Sequence, residues 1–165
     1  MSMDWLPDLI LLENFNGNWN RYFERIYSQF EADFVASKPT WPGKQVRLKW
    51  IPVHDGKSAT FWHMISEGDV EHERTPDFRR CERIAWPKSI MQEYDGADPG
   101  TTACRILWWT ELRKNETRYH LTTDDFSYLM VVADRGNYVL PWTAYPVEYS
   151  SQREKLRRKW EAFWR

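Results

Sequence analysis

The stretch TRYHLTTDDFSYLMVVADRGNYVLPWTA, residues 117–144, decides the fold of this chain. It contains three runs rich in β-branched and aromatic residues, at 117–122, 127–133 and 138–144, and their period of two is typical of strands. A hairpin turn over 135–137 separates the last two runs. A fourth run precedes them at 103–111, and the short loops between runs favour antiparallel neighbours. We therefore predict an antiparallel meander of about four strands.

The segments outside this meander predict helices. Apolar residues spaced i, i+3, i+4 and i+7 over 18–34 predict one amphipathic helix, and Ser58 or Thr60 begins a short helix that extends to Glu67. Further helices are expected from Asp77 towards residue 84, over 87–94, and after residue 150. Helices first and strands afterwards indicate an α+β fold, with N-terminal helices packed on one face of a C-terminal antiparallel sheet and a C-terminal helix that closes it. We expect a single domain, 1–165, with a helical N-terminal extension at 1–45 and a core at 46–165.

Composition excludes several classes of protein. The chain has 23 Lys and Arg against 24 Asp and Glu, and 42% hydrophobic residues, so it is neither disordered nor a strongly basic nucleic-acid coat. Two cysteines, Cys81 and Cys104, are too few for a disulfide framework. No run approaches the ~18 apolar residues of a membrane span, and the N terminus lacks the features of a secretory signal. We expect a cytoplasmic protein with no membrane partner.

Basic residues are concentrated in two segments. Residues 151–165 carry six basic residues against two acidic ones, and a second cluster lies at 79–88. Either cluster suits a phosphate-rich ligand, and the alternative is a solvated helix face. Within the second cluster, Arg79 and Arg83 share a helix face, and their planar guanidinium groups suit bidentate capture of phosphate.

His63 is the first candidate for chemistry. It lies in an apolar helical segment four residues before Glu67, so one helical turn brings the carboxylate to the imidazole and raises its pKa. Such a pair suits general acid or base work near neutral pH, and the alternative is a partly buried histidine that hydrogen-bonds its neighbours. A metal site of His63, Glu67 and His72 is a further alternative, but this spacing matches no zinc signature. We assign no metal and no cofactor.

Two hydroxyls end the predicted sheet. Thr143 and Tyr145 are two residues apart on one strand, so they face the same side and can bind a phosphate and a ribose or base. Arg105, which begins a predicted inner strand, is a further cation for that ligand. The chain has no glycine-rich phosphate loop, no serine nucleophile elbow and no paired-cysteine metal site, which leaves chemistry performed by side chains alone.

Together these features resemble one group of proteins. The histidine in an apolar helix, the arginine-rich helix, the meander, the closing Thr143-Ala144-Tyr145-Pro146 and the basic last helix are similar to the barnase/EndoU/colicin/RelE-type ribonuclease superfamily, in its phage- or mobile-element-associated branch. The resemblance covers about residues 47–164 and makes 46–165 a nuclease-like core. It implies metal-independent cleavage of RNA by a toxin-like enzyme, held in check by an antitoxin or immunity protein.

The resemblance also implies roles for single residues. EndoU-type members use two histidines and a lysine, and His63 matches the first histidine. His120 and His72 are the candidates for the second histidine, and Arg83 or Lys155 for the lysine.

The predicted function is a metal-independent endoribonuclease, in which the ribose 2′-hydroxyl attacks the adjacent phosphorus and leaves a cyclic phosphate. The assigned residues are His63 as base or acid, Glu67 as its orienting group, Arg79 and Arg83 as phosphate clamps, and Thr143 and Tyr145 as substrate-positioning donors. One alternative is a non-catalytic module of the same fold that binds RNA or protein, and another is a metal-dependent hydrolase.

Overall fold

The computed structural model of the chain describes residues 3–68, 74–98 and 105–165. Its strands are β1 (Gln45–Val46), β2 (Ser66–Glu67), β3 (Thr75–Pro76), β4 (Ile106–Arg113), β5 (Glu116–Thr123), β6 (Tyr128–Asp134) and β7 (Tyr138–Pro146). Within the described ranges, five strands form one sheet in the order β1-β7-β6-β5-β4, while β2 and β3 pair with each other. The predicted meander is confirmed, since β4 to β7 are antiparallel. The short strand β1 adds a parallel neighbour to β7 that the sequence pattern did not predict.

Helices precede the sheet in the chain, and one helix follows it. They are α1 (Trp19–Glu31), α2 (Ala59–Ile65), α3 (Phe78–Glu82), α4 (Trp86–Glu93) and α5 (Ser150–Trp164), with a 3-10 turn at Leu12–Phe15 and a π-helical turn at Ala32–Ala36. The expected helix over 18–34 is confirmed, and the Asn18 side chain caps it by accepting a bond from the Arg21 backbone N–H at 3.2 Å. Helices and a mostly antiparallel sheet make the fold α+β.

The two faces of the sheet bury different sets of side chains. The helix-side face contributes Leu121, Met130 and Val132 to a cluster that also holds Tyr22 and Phe30 of α1. The opposite face, here called the open face, carries a smaller apolar cluster that includes Trp109, Phe126, Leu129 and Val131, and Trp160 of α5 packs against it. Because α5 packs mainly on the β4 side of this face, the middle of the open face over β5, β6 and β7 retains a cleft.

The structure differs from the sequence predictions in the region between α2 and α3. α2 ends at Ile65, because Ser66 adopts an extended conformation and pairs with Pro76. Thr75 and Pro76 therefore form strand β3, and Asp77 caps α3 by accepting bonds from the backbone N–H groups of residues 79 and 80. Residues 47–57 form a loop that joins β1 to the start of α2. No helix in the described part of the chain is long and apolar enough to cross a membrane.

Candidate functional site

The register of the sheet places functional side chains in one row across the open face. His120 on β5 and Thr143 on β7 are both registered with Val131 on β6, and Tyr145 is registered with Leu129 in the next row. One strand lies between His120 and Thr143, so their Cα atoms are about 10 Å apart, twice the usual strand spacing. Val131 and Leu129 form an apolar floor between two polar walls.

These rows line a cleft of about 230 Å³, whose polar and aromatic lining includes Glu111, Arg118, His120, Trp142, Thr143 and Tyr145. A β-bulge shapes one end of the cleft. The register passes from Val131 with Thr143 to Val132 with Pro141, so Trp142 is the extra residue and lines the cleft beside Thr143. Bulges of this kind change the direction of side chains next to functional sites. A bulge also tolerates a proline within a strand, here Pro141.

A carboxylate holds the imidazole on the first wall. His120 Nε2 lies 3.3 Å from Glu111 Oε2, and His120 Nδ1 lies 3.3 Å from the Arg118 carbonyl. The ring stacks on Trp109, with centroids 5.2 Å apart, and Trp109 Nε1 donates to Glu111 at 2.9 Å. Lys159 of α5 approaches Glu111 at 3.4 Å. Both groups are therefore fixed in orientation while they face the cleft.

The pKa values of His120 and Glu111 both lie below their ordinary values, for different reasons. Burial lowers the pKa of His120, as do the charges of Lys159 and Arg118, and these effects outweigh Glu111 and the Arg118 carbonyl, which raise it. Burial acts to raise the pKa of Glu111, but the Trp109 hydrogen bond and the charges of His120 and Lys159 lower it overall. At neutral pH the pair is thus a carboxylate beside a neutral imidazole.

A guanidinium group organises the opposite wall. Arg80 Nη1 donates to Thr143 Oγ1 at 3.1 Å, and also to the carbonyls of His63 and Ser66 at 3.3 and 2.9 Å. The same guanidinium lies 5.0 Å from the centroid of the Tyr145 ring. Burial raises the pKa of Tyr145, which Arg80 opposes, so the phenol keeps its proton near neutral pH. This wall offers hydroxyls beside a fixed positive charge.

The predicted pair of His63 and Glu67 is not brought together by a helical turn. His63 lies in α2, whereas Glu67 lies in β2 beyond the end of that helix. The His63 ring contacts Trp142 edge-on, with centroids 5.4 Å apart, and does not line the cleft on the open face. Glu67 lines a different cleft of about 500 Å³ together with Asp77 and Glu148. These three carboxylates repel anions, so that cleft is a poor site for phosphate.

The predicted cations are also dispersed. Arg79 pairs with Glu148 at 2.7 Å, and Arg83 lies over Trp86 and bonds to the Arg79 carbonyl. Arg105 pairs with Glu93 at 3.1 Å, and it precedes the edge strand β4 rather than an inner strand. Lys155 is exposed on α5. None of these four lines the cleft on the open face.

The cleft thus contains three of the predicted site residues, namely His120, Thr143 and Tyr145. The sequence did not predict Glu111 and Arg118, which also line the cleft, or Arg80, which bonds to Thr143. Within the described ranges, no group of three or more His, Cys, Asp and Glu side chains could hold a metal ion. His72 of the alternative metal site, and Cys104, lie outside the described residues.

The chain was compared with models of protein families, with curated proteins and with solved structures, and no match was found.

Proposed function

We propose that this chain is a metal-independent endoribonuclease that cleaves RNA by attack of a ribose 2′-hydroxyl on the adjacent phosphorus. The single observation that carries the proposal is the cleft on the open face. One wall holds an imidazole fixed by a carboxylate, and the opposite wall holds two hydroxyls beside a guanidinium. The reaction needs a base, a donor on the far side of the phosphorus and positive charge, and these side chains are of the required kinds.

The separation of the two walls suits an in-line displacement. In this reaction the 2′-oxygen forms a bond to phosphorus while the bond to the 5′-oxygen breaks, and the two oxygens lie on opposite sides of the phosphorus. A phosphodiester seated over Val131 has His120 on one side and Thr143 with Tyr145 on the other. The products are a 2′,3′-cyclic phosphate and a free 5′-hydroxyl.

We assign the role of base to His120. Its lowered pKa keeps the ring neutral at neutral pH, so it can accept the proton of the 2′-hydroxyl. Once protonated, the ring has an acceptor near each nitrogen, Glu111 at one and the Arg118 carbonyl at the other. These two acceptors offset part of the cost that burial places on the imidazolium that the step creates.

We assign the role of donors to the hydroxyls of the other wall. Tyr145 keeps its proton because burial raises its pKa, and it can donate to the departing oxygen. Thr143 is held by Arg80, whose positive charge offsets the negative charge that develops on the phosphoryl oxygens. Arg118 and Lys159 add positive charge near Glu111.

Incubation of the purified protein with mixed RNA oligonucleotides and EDTA tests this proposal. We expect products that end in a cyclic phosphate, identified by mass spectrometry. His120→Ala should slow cleavage by about 100-fold or more, the usual contribution of a proton-transfer group. The matched control is His63→Ala, which removes a ring that packs edge-on against Trp142 and does not line the cleft, and it should cost less than about tenfold.

Each outcome of this experiment bears on the proposal. Melting curves must show that both variants are folded. A folded His120→Ala variant that cleaves at the parent rate would remove the base from the mechanism, and a larger loss in His63→Ala would return that role to His63. Cleavage that requires an added divalent metal would support a metal-dependent hydrolase, and RNA binding without any cleavage would support a binding module. The toxin-like role, the antitoxin or immunity partner and the cytoplasmic location stay predictions from the sequence.

A further inference from the structure

Trp142, at one end of the cleft, is surrounded by cations. Arg118 lies 4.6 Å from its ring centroid, Lys49 lies 5.5 Å away and Arg135 lies 5.8 Å away. The His63 ring meets the same indole edge-on at 5.4 Å. These groups come from separate parts of the chain, namely the loop after β1, strand β5, the turn between β6 and β7, and helix α2. The fold therefore brings positive charge to one aromatic side chain.

This cluster keeps a net positive charge. Glu116 pairs with Arg118 at 3.0 Å and also with Arg135, so one carboxylate serves two guanidinium groups. No carboxylate in the described part of the chain pairs with Lys49. Three cations against this one carboxylate leave an excess of positive charge around the indole, and Glu111, which lines the same cleft, pairs with Lys159 instead. A guanidinium held against a ring still presents N–H groups at its edge, and these suit phosphate oxygens.

The cluster continues the cleft. Trp142 and Arg118 line the cleft themselves, and Trp142 directly precedes Thr143 in the chain. Arg135 is exposed at the turn between β6 and β7, so the positive surface extends from the reacting position to the rim of the sheet. Walls that are about 10 Å apart at the Cα atoms admit one strand of nucleic acid but not a base-paired helix.

We propose that Trp142 with Lys49, Arg118 and Arg135, here called the Trp142 subsite, binds a phosphate of single-stranded RNA beyond the phosphate that is cleaved. The inference rests on the proposed function and deepens it, because it defines the substrate as a strand of several nucleotides rather than a dinucleotide. Positive charge at this subsite holds the flanking strand, and the flanking strand in turn holds the reacting phosphodiester over Val131.

The test measures binding and cleavage separately. Binding of a 5′-labelled 12-nucleotide RNA is followed by fluorescence anisotropy at several salt concentrations, with the double variant Lys49→Gln, Arg135→Gln. Each lost phosphate contact lowers the slope of log affinity against log salt by about 0.7, so loss of the one contact at this subsite should lower the slope by about 0.7, with affinity about tenfold weaker at low salt. The matched control is Lys38→Gln, an exposed lysine on the helical side of the molecule.

Cleavage is measured as the ratio of kcat/KM for the 12-nucleotide RNA to that for a dinucleotide. The parent protein should prefer the longer RNA, and the double variant should lose most of that preference. If the parent protein cleaves neither substrate, the proposed function fails and the salt slope alone decides the subsite. An unchanged slope in the double variant, or an equal fall in Lys38→Gln, would overturn the subsite whether or not cleavage is seen.

Discussion

Replacing Arg80 by alanine is expected to lower the free energy of unfolding by about 3 kcal/mol, because this side chain joins α2 and α3 to the end of β7. Its Nη1 donates to the carbonyls of His63 and Ser66 and to Thr143 Oγ1, at 3.3, 2.9 and 3.1 Å. Its guanidinium also lies 5.0 Å from the Tyr145 ring. Alanine removes all of these contacts, and of the two carbonyls the one of Ser66 keeps a bond from Arg74.

The magnitude follows from these contacts. Arg80 is partly buried, so water replaces part of what is lost, and each of the two shorter hydrogen bonds contributes about 1 kcal/mol. The longest bond contributes little, and the contact with the Tyr145 ring contributes about 1 kcal/mol. For a chain of this length, 1 kcal/mol corresponds to about 2–4 °C in Tm, so Tm should fall by about 6–12 °C.

Urea and thermal unfolding measure this loss, and the adjacent Arg79 supplies the control. Arg79 is exposed and pairs with Glu148 at 2.7 Å, so Arg79→Ala should cost less than about 1 kcal/mol, as surface ion pairs do. Arg80→Lys keeps the charge, but an ammonium cannot reproduce the planar fork, so its Tm should lie between those of the parent and Arg80→Ala. Equal losses for Arg79→Ala and Arg80→Ala would refute the assignment of Arg80 as the tie between helix and sheet.

Two further predictions concern pH. If His120 is the base, kcat/KM rises with pH through the His120 pKa, which lies below its ordinary value, and levels off by neutral pH; a rate that falls over that range would make His120 an acid instead. Asp33 is 7% exposed, and burial raises the pKa of its carboxyl group. The folded state therefore binds this proton more tightly than the unfolded state does. As a consequence, the free energy of unfolding falls as pH rises above the ordinary Asp pKa. Asp33→Asn should abolish this contribution to the pH dependence of the free energy of unfolding, measured by urea unfolding at several pH values. The same pH dependence in Asp33→Asn and the parent protein would contradict the assignment to Asp33.

The sheet was predictable because each strand has a local signature. Alternating β-branched and aromatic residues predicted β4 to β7, and the same period of two placed Thr143 and Tyr145 on one face before any contact was known. β1 was not predictable as a parallel strand, since it has two residues and depends on distant β7. The end of α2 was missed because Ser66 gains backbone pairing with Pro76 that no local pattern reveals.

The pair of Glu111 and His120 depends on the register of two strands. Glu111 is registered with Arg118, and Trp109 with His120, so Glu111 meets His120 as a diagonal neighbour. Lys114 and Asn115 set that register in a two-residue turn, with φ of 51° and 64°. These values are typical of a type I′ turn, which Asn-Gly usually forms, and Lys-Asn carries only part of that signal. Without the turn, the sequence places both side chains on strands but cannot place them side by side.

The arginines of α3 show how one helical step changes the role of a charge. Their spacing predicts a shared helix face for Arg79 and Arg83; Arg83 follows the last residue of α3, and its side chain bonds to the Arg79 carbonyl at 3.1 Å. That face leads to Glu148 and Trp86 rather than to the cleft. Arg80 lies about 100° further round the helix, where it donates to the carbonyls of His63 and Ser66 and to Thr143 Oγ1. Bonds to acceptors on α2, β2 and β7, rather than a shared helix face, therefore distinguish Arg80 from Arg79 and Arg83.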